Sequence, residues 1–120
     1  MIKTIAEEPI KNKEHFLDTP LLTRKEVTDA LDLAVRQTEA NLVYLDGKFP
    51  FSAVGNDGLY PITENVEWTT GFWTGILWLM YEYTGADKFK EAALKQVDSF
   101  MERVDKRIDL NHHDLGFLYT

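Results

Sequence analysis

The stretch GFWTGILWLMYEYTG, residues 71–85, is apolar on nearly every side of the helix it predicts. Phe72, Trp73, Ile76, Leu77, Trp78, Leu79, Met80, Tyr81 and Tyr83 leave no continuous wet face. Such a helix must be covered all round, by protein or by lipid. Lipid is the poorer fit, because the run is too short and too aromatic to span a bilayer. The helix therefore belongs inside a larger helical protein. Threonines at 69 and 70 open it, and Gly85 supplies the left-handed exit.

Its neighbours are amphipathic. Thr23 and Glu26 have capping-box spacing, and Val27, Ala30, Leu31, Ala34, Thr38, Leu42 and Leu45 recur at threes and fours. That predicts a helix from Thr23 to Asp46-Gly47. A third helix begins near Asp87, with Phe89, Ala93, Val97, Phe100, Met101 and Val104 as its stripe. Lys88, Lys90, Glu91, Lys95 and Glu102 form its wet face. Residues 46–67 hold two prolines, three glycines and an Asn-Asp-Gly run, which predicts either a functional loop or a surface excursion with a hairpin near Gly58. Residues 1–22 read as a charged arm without sustained period.

Three helices and the opening of a fourth consume all 120 residues. Two amphipathic partners cannot enclose a helix that is apolar all round. The expectation is an all-α fold in which residues 23–120 are the N-terminal portion of one longer domain, cut on its C-terminal side.

Charge narrows the partners. The net charge is −7, which disfavours nucleic acid and anionic membrane. No cysteine is present, so disulfides and thiolate metal sites are excluded. The first residues, MIKTIAEEPIKNKEHF, carry glutamates and a proline where a signal peptide needs apolar residues, so a cytoplasmic protein is expected.

Chemistry concentrates in NHHDLGFLYT, residues 111–120. Adjacent helical residues point about 100° apart, so His112, His113 and Asp114 cannot converge on one metal from a regular helix. No metal or cofactor is expected. Two roles suit Asp114. It can cap the next helix, the commoner role, or serve as a carboxylate buried against Phe117 and Tyr119 for acid–base work. The histidines can equally hydrogen-bond loop carbonyls. Upstream, Trp68 falls at a loop end, where an indole face can lie under a sugar ring. Trp73 and Trp78, inside the helix, are read as core. Gly71 and Gly75 share a face and would admit a second backbone.

WTTGFWTGILWLMYEYTGADKF at 68–89, followed by HHDLGFLY at 112–119, resembles the N-terminal third of the unsaturated glucuronyl hydrolases, in particular their streptococcal type. The resemblance covers residues 23–120. It implies an (α/α)6 barrel of inner and outer helix layers, in which the apolar helix is an inner member. It also implies a glycoside hydrolase that removes a 4,5-unsaturated uronic acid from lyase-generated glycosaminoglycan disaccharides and oligosaccharides. In that family the vinyl ether double bond is hydrated. Asp114 matches a catalytic, sugar-binding aspartate, His113 a sugar-contacting histidine, and Trp68 an indole near the unsaturated ring. The general acid/base, a second aspartate, would lie beyond Thr120, so the 120 residues alone are expected to be inactive. The related unsaturated rhamnogalacturonyl hydrolases share the tryptophan-glycine motif, and a non-catalytic helical interaction module is the reading from another class.

Overall fold

A computed structural model describes residues 9–17 and 20–119, apart from the side chain of Phe117. Its described elements are α1 (Lys13–Leu17), α2 (Arg24–Leu45), β1 (Phe49–Pro50), β2 (Ile62–Thr63), α3 (Thr70–Thr84), α4 (Asp87–Asp105) and α5 (Leu115–Leu118). The three expected long helices and the start of a fourth are present. The expected arm falls partly on residues 1–8 and 18–19, outside the described residues. Within the arm, α1 forms one short helix with no buried side chain.

The capping box at Thr23 forms as its spacing predicts. The Glu26 amide donates to Thr23 Oγ1 at 3.2 Å, and Glu26 Oε2 accepts from the Thr23 amide at 2.8 Å. At the other end of α2, Asp46 itself takes the left-handed conformation at φ 45°, and Gly47 continues it at φ 80°. Aspartate tolerates this region better than most side chains.

The stretch from 46 to 67 is the surface excursion with a hairpin. Phe49 pairs antiparallel with Thr63 and Pro50 with Ile62. The tip turns at Gly58, where the Gly55 amide donates to Leu59 O at 2.7 Å. This small ribbon inserts Phe49 into the core, edge-on to Phe100 with centroids 5.8 Å apart.

α3 packs along α4 and touches α2, β1 and α5. The core is Leu45, Phe49, Trp73, Leu77, Met80, Phe89, Ala93 and Phe100. Burying a side chain the size of Leu77 contributes about 2 kcal/mol. Across the helices, Tyr83 Oη donates to Asp32 at 2.9 Å, and Lys88 pairs with Glu39. Among the described residues no helix is long and apolar enough to cross a membrane.

One expectation about helix faces changes. The buried positions of α4 are Phe89, Ala93, Gln96, Phe100 and Arg103, whereas Val97, Met101 and Val104 are exposed. The polar members have partners: Gln96 Oε1 accepts from the Thr74 hydroxyl of α3 at 2.7 Å. A satisfied polar group can occupy a core face that an apolar pattern alone would not assign to it. The stripe is thereby rotated, and Val97 and Met101 turn toward a groove shared with Phe72, Ile76 and Leu79 of α3.

That groove is the side of α3 that two amphipathic partners leave uncovered: Phe72, Ile76 and Leu79 are each partly exposed there. A Cβ placed on Gly75 would meet nothing within 4 Å. Within the described residues, then, no second backbone fills the approach that glycine permits.

Candidate functional site

Two loops meet at one buried guanidinium. The first runs from β2 to α3 and carries Trp68. The second runs from α4 to α5 and carries His112, His113 and Asp114. Arg103, near the end of α4 and 1% exposed, lies between them.

On the first loop, Arg103 Nη1 donates to the backbone oxygen of Glu67 at 3.0 Å and to Asn65 Oδ1 at 3.1 Å. Asn65 Oδ1 also accepts from the Thr70 hydroxyl at 2.9 Å. Trp68 thus sits between two residues, Glu67 and Thr70, whose backbone or side chain is fixed. Its indole remains 42% exposed and meets Phe72 edge-on with centroids 6.0 Å apart.

On the second loop, Arg103 Nε donates to Ile108 O at 3.1 Å, and Nη2 donates to Asp109 O at 3.0 Å and Asp109 Oδ2 at 3.1 Å. Arg107 and Asp109 both have positive φ, 53° and 46°. Two such residues in one short turn are uncommon away from glycine. They turn the carbonyls of 108 and 109 back onto the helix that precedes them. The strain and the guanidinium together fix where the next residues begin.

From that start the chain reaches His112, His113 and Asp114. Asp114 precedes α5, but its side chain makes no capping hydrogen bond, so the cap reading of this carboxylate is not what the structure adopts. Its Oδ2 instead lies 3.5 Å from His113 Nε2 and 4.0 Å from His112 Nδ1. The Asp114 side chain is 21% exposed, and His113 is 93% exposed. The expected burial against Phe117 falls on a side chain outside the described residues. Tyr119 packs edge-on against Phe100, with centroids 5.8 Å apart. Trp73 is buried and Trp78 half-buried, as core readings require.

The geometry brings His113 and Asp114 into direct proximity, and Arg103 ties the loop that carries Trp68 to the turn that precedes them. A carboxylate flanked by imidazoles can accept from sugar hydroxyls. A half-open indole offers its face to sugar C–H groups. Among the described residues no group of three or more histidines or carboxylates is arranged to hold a metal.

Sequence reasoning missed Arg103, Asn65, Thr70 and Asp109. A signal for Arg103 existed. The spacing Phe89, Ala93, Gln96, Phe100, Arg103 runs four, three, four, three, which places the arginine on the buried face.

No family model matches the sequence. A curated relative from Streptococcus pneumoniae, an unsaturated chondroitin disaccharide hydrolase, is 56% identical over 120 residues, covering 100% of this chain and 30% of that protein. The crystal structure of unsaturated glucuronyl hydrolase from Streptococcus agalactiae superposes with a TM-score of 0.91 at 46% identity, over 99% of this chain and 30% of that one. A variant of the same enzyme, complexed with dGlcA-GalNAc6S, gives a TM-score of 0.91 at 46% identity, over 99% of this chain and 31% of that one. The chain thus spans about 30% of the length of the relatives it matches. Its helices are those of part of an (α/α)6 barrel. By sequence and by fold, the chain belongs to the unsaturated glucuronyl hydrolases.

Proposed function

We propose that these 120 residues serve within a glycoside hydrolase that removes the 4,5-unsaturated uronic acid from the non-reducing end of glycosaminoglycan fragments. The observation that carries this reading is the 56% identity, over the whole chain, to an unsaturated chondroitin disaccharide hydrolase. The complex of the related agalactiae enzyme with dGlcA-GalNAc6S supports the same substrate class. Local geometry is compatible with it, since an open indole and an imidazole-flanked carboxylate lie on two loops that one guanidinium joins.

The reaction begins with protonation of C4 of the vinyl ether. Positive charge then develops at C5 and the ring oxygen, water adds at C5, and its spare proton leaves. The hemiketal opens to a C5 ketone, and the hemiacetal left at C1 releases the remaining saccharide as an alcohol. Attack on the glycosidic carbon is not needed, in contrast to two-carboxylate hydrolysis.

In this scheme Asp114 binds sugar hydroxyls and, as a carboxylate, offsets the positive charge of the transition state. His113 contacts the sugar from the exposed side of Asp114. Trp68 packs beneath the unsaturated ring. The proton donor is a second carboxylic acid from outside these 120 residues, and these residues alone are inactive for lack of it.

The test is loss of ultraviolet absorbance from the conjugated double bond. The full-length protein carrying this segment is offered unsaturated disaccharides from chondroitin and, separately, from rhamnogalacturonan. The expected result is turnover of the chondroitin product. Preference for the pectin-derived product, or binding without turnover of either, would contradict the proposal.

A further inference from the structure

His112 is an exception to the usual pairing of buried polar atoms. Both of its ring nitrogens are shielded from solvent, and neither has a hydrogen-bond partner among the described residues. A neutral imidazole carries one donor and one acceptor, and a protonated one carries two donors. Leaving both nitrogens unmade is costly, so each such group in a native structure calls for an explanation.

What faces the nitrogens supplies one. Nε2 is 3.8 Å from Asp109 Oδ2, and Nδ1 is 4.0 Å from Asp114 Oδ2. Each gap is about 1 Å longer than a hydrogen bond. The two carboxylates are not equally held. Asp109 Oδ2 already accepts from Arg103 Nη2 at 3.1 Å, and the Asp109 carbonyl from the same nitrogen at 3.0 Å. Asp114 has no capping bond to fix it. The line Arg103, Asp109, His112, Asp114 therefore runs from a rigid buried anchor to a carboxylate that lacks one.

We propose that His112 is the positioning residue for Asp114. When sugar fills the site, the protonated imidazole donates from Nδ1–H to Asp114 Oδ2 and from Nε2–H to Asp109 Oδ2, so that Arg103 sets the direction of the carboxylate facing the ligand. Hydrogen bonds among catalytic groups commonly tighten when substrate binds. His113, at 93% exposure, lies on the solvent side of the same oxygen and has no comparable route to the anchor. This inference rests on the functional reading given above.

Three replacements in the full-length protein carrying this segment test it. His112→Asn keeps an N–H donor near the reach of Nδ1, and His112→Gln keeps one near the reach of Nε2. His112→Phe fills the volume and keeps neither. The readouts are thermal melting, and kcat and KM on unsaturated chondroitin disaccharide. The Phe variant is expected to melt as wild type, with kcat lower by about 10- to 100-fold and KM moved less. Asparagine, which keeps the bond to Asp114 but not the link to Asp109, is expected to recover part of that loss, and glutamine less of it. A wild-type kcat for the Phe variant, or no advantage of Asn over Gln, overturns the inference. If the Phe variant does not fold, the comparison of Asn with Gln decides alone. Wild-type turnover in the same assay separates the two ideas: a wild-type protein that leaves the disaccharide intact contradicts the functional reading, and this inference with it.

Discussion

Arg103 and Asp109 are joined twice through one nitrogen, Nη2 donating to the Asp109 carbonyl at 3.0 Å and to its carboxylate at 3.1 Å. The rest of the guanidinium reaches Glu67, Asn65 and Ile108. Arg103→Met removes every one of these donors and leaves buried acceptors unpaired. It is expected to cost about 3 kcal/mol of stability. Lysine should not rescue it, because a point charge cannot serve both loops as the planar fork does. Urea titration of the three proteins measures this directly, and equal midpoints for Arg and Lys would remove the fork from the argument.

The capping box gives a prediction in pH. The Thr23 hydroxyl and then its backbone N–H hold the Glu26 carboxyl below the usual glutamate range. A group whose folded pKa is depressed adds stability above its unfolded pKa. That stability fades as pH falls through the folded value. The Glu26 signal in a carboxyl NMR titration should therefore move at lower pH than that of a free glutamate. Thr23→Ala, which removes the hydroxyl and keeps the backbone N–H, should move it part of the way back toward the ordinary range, and an unchanged titration would mean the box does not form in solution.

The bare groove predicts association. Ile76 and Leu79 of α3 and Val97 and Met101 of α4 line it and are exposed among the described residues. Exposed apolar patches of this kind drive self-association. The 120-residue polypeptide alone should elute from a sizing column as an oligomer. Leu79→Lys with Met101→Lys should shift it toward monomer. A wild-type polypeptide that is monomeric and binds no hydrophobic dye contradicts this.

Trp68 is held by its neighbours rather than by its own ring. Replacing it by alanine should leave the melting temperature within a few degrees of wild type, since the side chain is half open. In the full-length protein the same change should raise KM for the unsaturated disaccharide by about fivefold, the loss of one aromatic face of about 1 kcal/mol. A large stability loss with unchanged KM would return Trp68 to the core.

Local rules made much of the fold legible. Thr23 and Glu26 gave the start of α2, Gly85 the end of α3, and Gly58 the hairpin tip. These signals act within a few residues, so sequence carries them intact. The orientation of α4 was less legible. An apolar count selects Val97 and Met101, but Gln96 and Arg103 won the buried face because Thr74, Asn65 and the two loops satisfy them. Thr74 lies 22 residues from Gln96 and Asn65 38 residues from Arg103, beyond any local pattern. The site divides in the same way. His113, Asp114 and Trp68 stand out by their chemistry and by resemblance. Their anchor was missed because an arginine near the end of a helix reads as a solvated charge.

The most direct test of the account is the turnover of Asp114→Asn in the full-length protein carrying this segment. Asparagine keeps the shape and removes the charge, and because the Asp114 side chain caps nothing, α5 has no reason to melt. The account predicts wild-type thermal stability with turnover of unsaturated chondroitin disaccharide lowered by about 10²- to 10⁴-fold. A folded variant that consumes the disaccharide at the wild-type rate would contradict it.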